Sequence, residues 1–177
     1  MALGTSILHD VSIDDERWNK NVANAQSLID GCLSEILNKV DEGKALSKFD
    51  HIEIGFVLSN DAYIHTLNHH YREQDKATNV LSFCGLDDDE ITGILCGPDQ
   101  PGPQPYSLGE IYIAYETLER EAEKAKVPFK NHFQHLIIHG ILHLMGYDHI
   151  EDNEAEKMET LETKLLSDRG IDDPYAA

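Results

Sequence analysis

The stretch from His139 to His149, HGILHLMGYDH, constrains the fold more than any other part of the sequence. His139 and His143 are four residues apart, so a helix places both imidazoles on one face, about one turn from each other. Apolar residues fill most of the positions between them, which is typical of a buried helix. Gly146 is expected to end this helix, because glycine readily takes the left-handed conformation that reverses the chain. The reversal would bring His149 back toward the other two histidines.

This spacing predicts a metal site with His139, His143 and His149 as ligands. Three imidazoles leave a fourth coordination position open, which is the usual arrangement of a catalytic zinc site. The same spacing occurs in the long motif of the metzincin proteases, where a glutamate directly after the first histidine acts as the general base. Gly140 stands at that place here, so the sequence has the metal ligands of such a protease without its base.

The rest of the sequence predicts an α+β fold in one domain, residues 1–177, since this length suits a single core. We expect a small mixed sheet of about four strands, packed with about five to six helices, with the metal site on a central helix and the turn after it. Periodicity and turn residues predict strands over 5–14, 51–59, 80–83 and 108–116, helices over 18–40, 61–72, 117–126, 133–145 and 153–170, and a long acidic loop over 84–107 with a short strand at 91–95.

Composition narrows the class of partner. The chain has 33 acidic and 14 basic residues, a net charge of −19, which repels nucleic acids and anionic membranes at long range. An RNA ligand would therefore need a local basic or metal-bearing patch. The three cysteines have no CxxC spacing, and neither a signal sequence nor an apolar run of about 18 residues is present, so we expect a cytoplasmic protein with reduced thiols.

Four segments resemble the YbeY family of bacterial metal-dependent endoribonucleases. The stretch HGILHLMGYDH matches the family signature, and LNHHYREQDKATNVLSF (67–83) resembles its central motif. LGEIYIA (108–114) is similar to the strand motif that follows, and EAEKMETLE (154–162) to the C-terminal helix. The resemblance covers roughly residues 52–175. It departs from the family at Cys84, where proline is common, and at Glu110, where aspartate is frequent.

The resemblance implies a single-strand-specific endoribonuclease that matures the 3′ end of 16S rRNA and takes part in ribosome quality control. One Zn²⁺ per chain would be held by the three histidines of the signature. Arg72 matches the family's other functional position, and a guanidinium fork suits phosphate geometry. The implied partners are rRNA and the small ribosomal subunit or ribosome-associated factors, with no membrane and no DNA.

The sequence does not identify the group that handles the proton. Asp148, Glu110 and His135 are candidates, and Asp148 could equally be a turn residue that satisfies local amides. Two other functions remain open at this stage. One is a non-catalytic ribosome-assembly factor whose zinc is structural, with Asp148 or a cysteine of the 84–96 region as fourth ligand. The other is a metzincin-like metallohydrolase, which Gly140 disfavours.

Overall fold

The structure is a computed structural model that describes residues 6–47, 49, 51–96 and 106–176. Its strands are β1 (Ser6–Ile13), β2 (His51–Ser59), β3 (Val80–Cys84) and β4 (Tyr106–Ala114). Its helices are α1 (Arg17–Asn21), α2 (Ala25–Lys39), α3 (Asp41–Leu46), α4 (Asp61–Arg72), α5 (Asp88–Cys96), α6 (Tyr115–Ala125), α7 (Phe129–Leu144) and α8 (Asp152–Asp168).

The four strands form one mixed sheet in the order β1-β2-β4-β3. The pairs β1–β2 and β2–β4 are parallel, and β3 pairs with β4 in the antiparallel direction. β3 is therefore an edge strand, and α7 packs against it and against β4. The predicted α+β class and the mixed four-stranded sheet are confirmed.

Helices α4 and α7 lie on opposite faces of this sheet. Ile64 of α4 packs with Leu81 of β3 in a small apolar cluster. The next residue along β3, Ser82, points the other way and donates to the Gly140 carbonyl of α7 at 3.4 Å. Most of the buried apolar side chains belong to the larger cluster on the α7 face, which runs from Trp18 to Ile171.

The helix predicted over residues 18–40 is wrong as a single element. The chain leaves the helical conformation between Asn21 and Ala25, and α1 and α2 are separate helices. The break consists of Val22, Ala23 and Asn24, of which valine and asparagine have low helix propensity. Trp18 is fully buried, and its indole donates to the Ser59 carbonyl at 2.8 Å. The apolar period continues across the break because both helices cover the same core.

The strand predicted at residues 91–95 is also wrong, because these residues belong to helix α5. Asp87 and Glu90 form a reciprocal capping box in which the Glu90 amide donates to Asp87 Oδ1 at 2.8 Å and the Asp87 amide donates to Glu90 Oε2 at 2.9 Å. The acidic run therefore starts a helix. Residues 97–105 of the predicted loop lie outside the described part of the chain.

The predicted count of five to six helices is too low. Eight helices occur in the described ranges, because the break after α1 and the short helices α3 and α5 add to the expected set. None of the eight is long and apolar enough to cross a membrane.

Gly109 stands where no other residue fits without strain. Its φ is +130°, and a Cβ there would lie 2.0 Å from the Phe83 carbonyl oxygen. We expect Gly109→Ala to lower the free energy of unfolding by at least about 3 kcal/mol, through strain and overlap with backbone. Gly93→Ala is the matched control, because nothing lies within 4 Å of that position in α5. The control should be neutral or stabilised by up to about 1 kcal/mol. Urea unfolding of both variants measures this, and equal stabilities would contradict the described close approach of β3 and β4.

Candidate metal centre

Helix α7, called the metal helix below because it carries the predicted ligands His139 and His143, lies very close to the sheet at Gly140. A Cβ at this position would be 2.9 Å from Cγ2 of Ile111 in β4, so only glycine fits without displacing a packed side chain. Gly140 is buried and turned toward the sheet. The missing glutamate of the protease motif therefore has a packing reason, because a carboxylate at this place would enter the core.

The turn after α7 brings the three predicted ligands together. Gly146 has a φ of +91°, and the Tyr147 amide donates to the Leu142 carbonyl at 3.1 Å, which closes the helix end. The His149 ring then lies 5.7 Å from the His139 ring and 5.0 Å from the His143 ring, centroid to centroid. One ring nitrogen of each histidine lies within 4.8 Å of the others.

Hydrogen bonds fix the tautomers of two of these rings. His139 Nδ1 lies 2.6 Å from Glu162 Oε1, and His143 Nδ1 lies 2.9 Å from the Tyr147 carbonyl oxygen. A carboxylate and a carbonyl only accept, so each Nδ1 carries the proton and each Nε2 presents a lone pair. The two Nε2 atoms are 3.0 Å apart. Two lone pairs this close repel each other unless a cation lies between them, so the donor set fits a metal ion of the kind imidazole prefers, such as zinc.

Glu162 of α8 is the functional residue that the sequence reasoning missed. Its side chain is fully buried, and it accepts from His139, from His135 at 3.2 Å and from the Tyr175 hydroxyl. Burial alone would raise its pKa, but hydrogen bonds from His135 and His139, with a further one from Tyr175, lower the pKa to about 2. Glu162 is therefore a buried carboxylate that orients His139, one of the predicted ligands.

A signal for Glu162 was present in the sequence. The core-facing positions of α8 are Met158, Glu162, Leu165 and Leu166, so a glutamate interrupts an otherwise apolar stripe. Lone buried carboxylates are rare unless they are paired. The stripe alone, however, did not indicate which cation or donor would face it.

His135 lies one turn before His139, and its ring takes part in this hydrogen-bonded group. His135, His139 and Glu162 also satisfy the distance requirement for a metal cluster. Both rings already lie within hydrogen-bond distance of the Glu162 carboxylate, so the arrangement is complete without an ion.

Burial, and then the neighbouring His139 and His149 rings, lower the pKa of His143 from 6.5 to about 4. The His143 imidazole is therefore neutral at neutral pH, which is the form that binds a metal ion.

Arg72, the last residue of α4, reaches the edge strand next to α7. Its Nη2 donates to the Ser82 carbonyl at 3.4 Å. Asn68 is nearly fully buried and donates to the Lys76 carbonyl at 2.8 Å, which holds the turn that follows the helix. Cys84, two residues after Ser82, has its Sγ 3.7 Å from the His143 carbonyl oxygen. Arg72 and the metal helix thus meet the same short strand.

Asp148 lies in the turn that carries His149, the third predicted ligand. Its Oδ1 accepts from the His149 amide at 2.7 Å, so it has at least the local role of a turn residue. The pKa of the Cys84 thiol is raised by burial and by the Asp88 and Asp148 carboxylates, and lowered by Arg72. Asp148 and Arg72 thus act on the pKa of the same thiol in opposite directions.

Glu110 is not brought together with the histidines. It pairs with Phe83, while the next residue, Ile111, faces Gly140 of α7. Because side chains alternate along a strand, Glu110 lies on the opposite face of the sheet, where its Oε2 accepts from the Tyr112 hydroxyl at 2.8 Å. Its catalytic role stays a prediction without geometric support.

Similarity to known proteins identifies the family of this chain. A family model described as Endoribonuclease YbeY matches residues 12–170, which is most of the chain. The chain belongs to this family. The predicted membership of the YbeY family is confirmed, and so is the prediction that the protein is an endoribonuclease.

Individual YbeY relatives agree over most of the chain. Endoribonuclease YbeY of Bradyrhizobium diazoefficiens is 41% identical over 167 residues, which cover 94% of this chain and 84% of the relative. The protein of the same name from Agrobacterium fabrum is 38% identical over 94% of this chain and 93% of the relative. The solution structure of TM1509 from Thermotoga maritima matches with a TM-score of 0.52 at 24% identity, over 96% of this chain and all of the other. That last likeness concerns the fold.

The lowered pKa of His143 generates a prediction for the metal-free protein. Between pH 6.5 and about pH 4 the unfolded chain binds a proton at this position and the folded chain does not. The free energy of unfolding should therefore fall as the pH drops through this window. Urea unfolding in EDTA at pH 7.5 and pH 5 should show a smaller pH dependence in His143→Ala than in the wild type.

The control for this measurement is His69→Ala, since His69 is exposed on α4. It should keep the pH dependence of the wild type. An unchanged pH dependence in His143→Ala would show that burial of this ring does not lower its pKa.

Proposed function

We propose that this member of the YbeY family is a zinc-dependent, single-strand-specific endoribonuclease of the bacterial cytoplasm, which matures the 3′ end of 16S rRNA and takes part in ribosome quality control. The observation that carries the proposal is the convergence of the His139 and His143 lone pairs, 3.0 Å apart, on a helix that shares strand β3 with Arg72. We also propose that residues 1–177 act as one domain, which the continuous core from Trp18 to Ile171 supports.

His139, His143 and His149 are the proposed ligands of one Zn²⁺ per chain. Bound there, zinc would supply a Lewis acid that polarises a phosphoryl oxygen. The protein contributes the orientation of the rings, since Glu162 and the Tyr147 carbonyl hold two of them by Nδ1. Burial of His143 also lowers its pKa, so this imidazole is neutral at neutral pH and can bind the metal.

Arg72 is the proposed phosphate ligand. No ion pair among the described residues involves it, whereas Arg17 pairs with Asp15 and Glu116, and Arg120 pairs with Asp61. An exposed guanidinium without a carboxylate partner is free to bind a phosphate in bidentate geometry and to stabilise the charge that develops during cleavage.

Asp148 and Glu110 remain the proposed proton carriers. Asp148 adjoins a ligand in sequence and is only partly buried, so one of its oxygens can face the substrate while the other holds the His149 amide. Glu110 would need a substrate that passes around the sheet edge, because it lies on the face opposite α7. Asp148 is therefore the stronger of the two proposals.

The proposed partners are rRNA and the small ribosomal subunit or its associated factors, without DNA or membrane. The net charge of −19 means that free RNA must be held by local contacts around Arg72 and the metal. Tethering through a ribosome-bound partner would add affinity without new contacts to RNA. The assembly-factor alternative requires a fourth protein ligand, and the Cys84 thiol instead contacts the His143 carbonyl. The protease-like alternative lacks a carboxylate at Gly140.

The test is metal content and cleavage measured on the same preparations, purified without a histidine tag. The substrate is a single-stranded RNA with the 3′ end of 16S rRNA and an extension beyond it. Wild type should hold one zinc per chain and cleave, and His143→Ala should lose both. Arg72→Ala should keep its zinc and lose roughly 100- to 1,000-fold in kcat, the usual effect of removing one donor that stabilises transition-state charge.

His69→Ala and Arg120→Ala are the matched controls for these variants, and both should stay within a few-fold of wild type. Zinc in the wild type without cleavage, even of rRNA in ribosomal particles, would favour the assembly factor. Full cleavage by His143→Ala would contradict the proposed metal site.

A further inference from the structure

Tyr71 is an exposed aromatic ring next to the proposed phosphate ligand. Its side chain is 64% exposed, more than that of any other tyrosine, phenylalanine or tryptophan in the described ranges. A single exposed ring needs no explanation by itself, so it is the position of Tyr71 beside Arg72 that gives it significance. The proposed chemistry gives this ring no role so far.

Neighbouring rings hold Tyr71 in a defined orientation. Its ring packs edge-to-face on Phe83 of β3 with a centroid distance of 5.3 Å and an interplanar angle of 68°. His70 makes a second perpendicular contact at 4.7 Å. These contacts restrain the ring while most of its surface remains open to solvent, so little conformational entropy would be lost when a planar ligand stacks on it.

Tyr71 and Arg72 converge on one strand although they are neighbours on a helix. Tyr71 contacts Phe83, and Arg72 donates to the carbonyl of the preceding residue, Ser82. An aromatic surface and a guanidinium that forms no ion pair among the described residues thus lie side by side at the edge of β3. The side chain of Ser82 contacts Gly140, so this edge also borders the metal helix.

We propose that Tyr71 is a stacking surface for one base of the single-stranded RNA whose phosphate binds Arg72. This inference rests on the proposed function and assigns a substrate-binding residue to it. Proteins recognise single-stranded RNA by stacking unpaired bases on aromatic rings and by binding phosphates with arginine. In a chain with a net charge of −19, stacking also provides affinity that does not depend on a basic surface.

The test is a comparison of KM and kcat on the single-stranded substrate for substitutions at Tyr71. Tyr71→Ala should raise KM roughly 5- to 150-fold, the range expected for loss of one stacked base. Tyr71→Leu, which keeps an apolar contact with Phe83, should behave like Tyr71→Ala. Tyr71→Phe keeps the ring and should stay close to wild type. A change in kcat much smaller than the change in KM is expected, because the ring touches a base and not the reacting phosphate.

The matched control is Tyr63→Ala, which removes another exposed tyrosine of α4, 44% exposed and packed on Tyr112. It should leave KM unchanged. A second readout uses substrates with an abasic nucleotide at successive positions. At one position the abasic nucleotide should raise the KM of the wild type by about the same factor as the Tyr71→Ala substitution does. The same abasic substrate should cause no further rise in the KM of Tyr71→Ala.

The outcomes separate this inference from the proposed function. If wild type cleaves the RNA and Tyr71→Ala has the KM of wild type, the stacking surface is wrong and the proposed function stands. If Tyr71→Phe fails as Tyr71→Ala does, the hydroxyl and not the ring is used, and stacking is again wrong. If wild type neither binds nor cleaves single-stranded RNA, both proposals fail.

Discussion

The hydrogen bond between His139 and the buried Glu162 carboxylate is the contact on which the candidate site depends. Removing a carboxylate from water costs several kcal/mol, and this cost must be offset by well-placed donors. Here His139, His135 and the Tyr175 hydroxyl offset it. The same bond joins α8 to α7, sets the tautomer of His139 and turns its free nitrogen toward His143. This one hydrogen bond therefore contributes both to the packing of α8 on α7 and to the orientation of a ring in the candidate metal site.

The second constraint is the distance between α7 and the sheet. Gly140 allows the helix to approach Ile111, and this approach brings the backbone of α7 to Ser82 and Cys84 on the edge strand. The same strand receives Arg72 from the opposite side of the sheet. A short edge strand therefore connects the face that carries the candidate metal site with Arg72, which forms no ion pair among the described residues. In a strongly acidic protein, this arrangement gives the phosphate site that we propose at Arg72 a local cation.

Sequence patterns predicted that the three histidines would converge where the spacing itself has a physical meaning. His139 and His143 could be paired because a helix repeats every 3.6 residues, and His149 because Gly146 reverses the chain. Glu162 was missed because its partners come from another helix and from the C-terminal segment. The side of the sheet on which Glu110 lies could not be read from alternation alone, because both faces of β4 carry apolar residues. The two wrong predictions of helices and strands have local causes. The predicted helix over 18–40 is interrupted before Ala25, and Trp18 is buried on the near side of the break. The capping box at Asp87 starts a helix in a run that was predicted as a loop with a short strand.

The most direct test of the account is the zinc X-ray absorption spectrum of the protein purified without a histidine tag. We expect three imidazole nitrogens and one further light atom at about 2.0–2.1 Å from the zinc, and the loss of one imidazole in His149→Ala. A sulfur neighbour at about 2.3 Å would identify a cysteine such as Cys84 as the fourth ligand, and a closed structural site would then replace the open catalytic one. An unchanged spectrum in His149→Ala would show that the turn after α7 does not supply the third ligand.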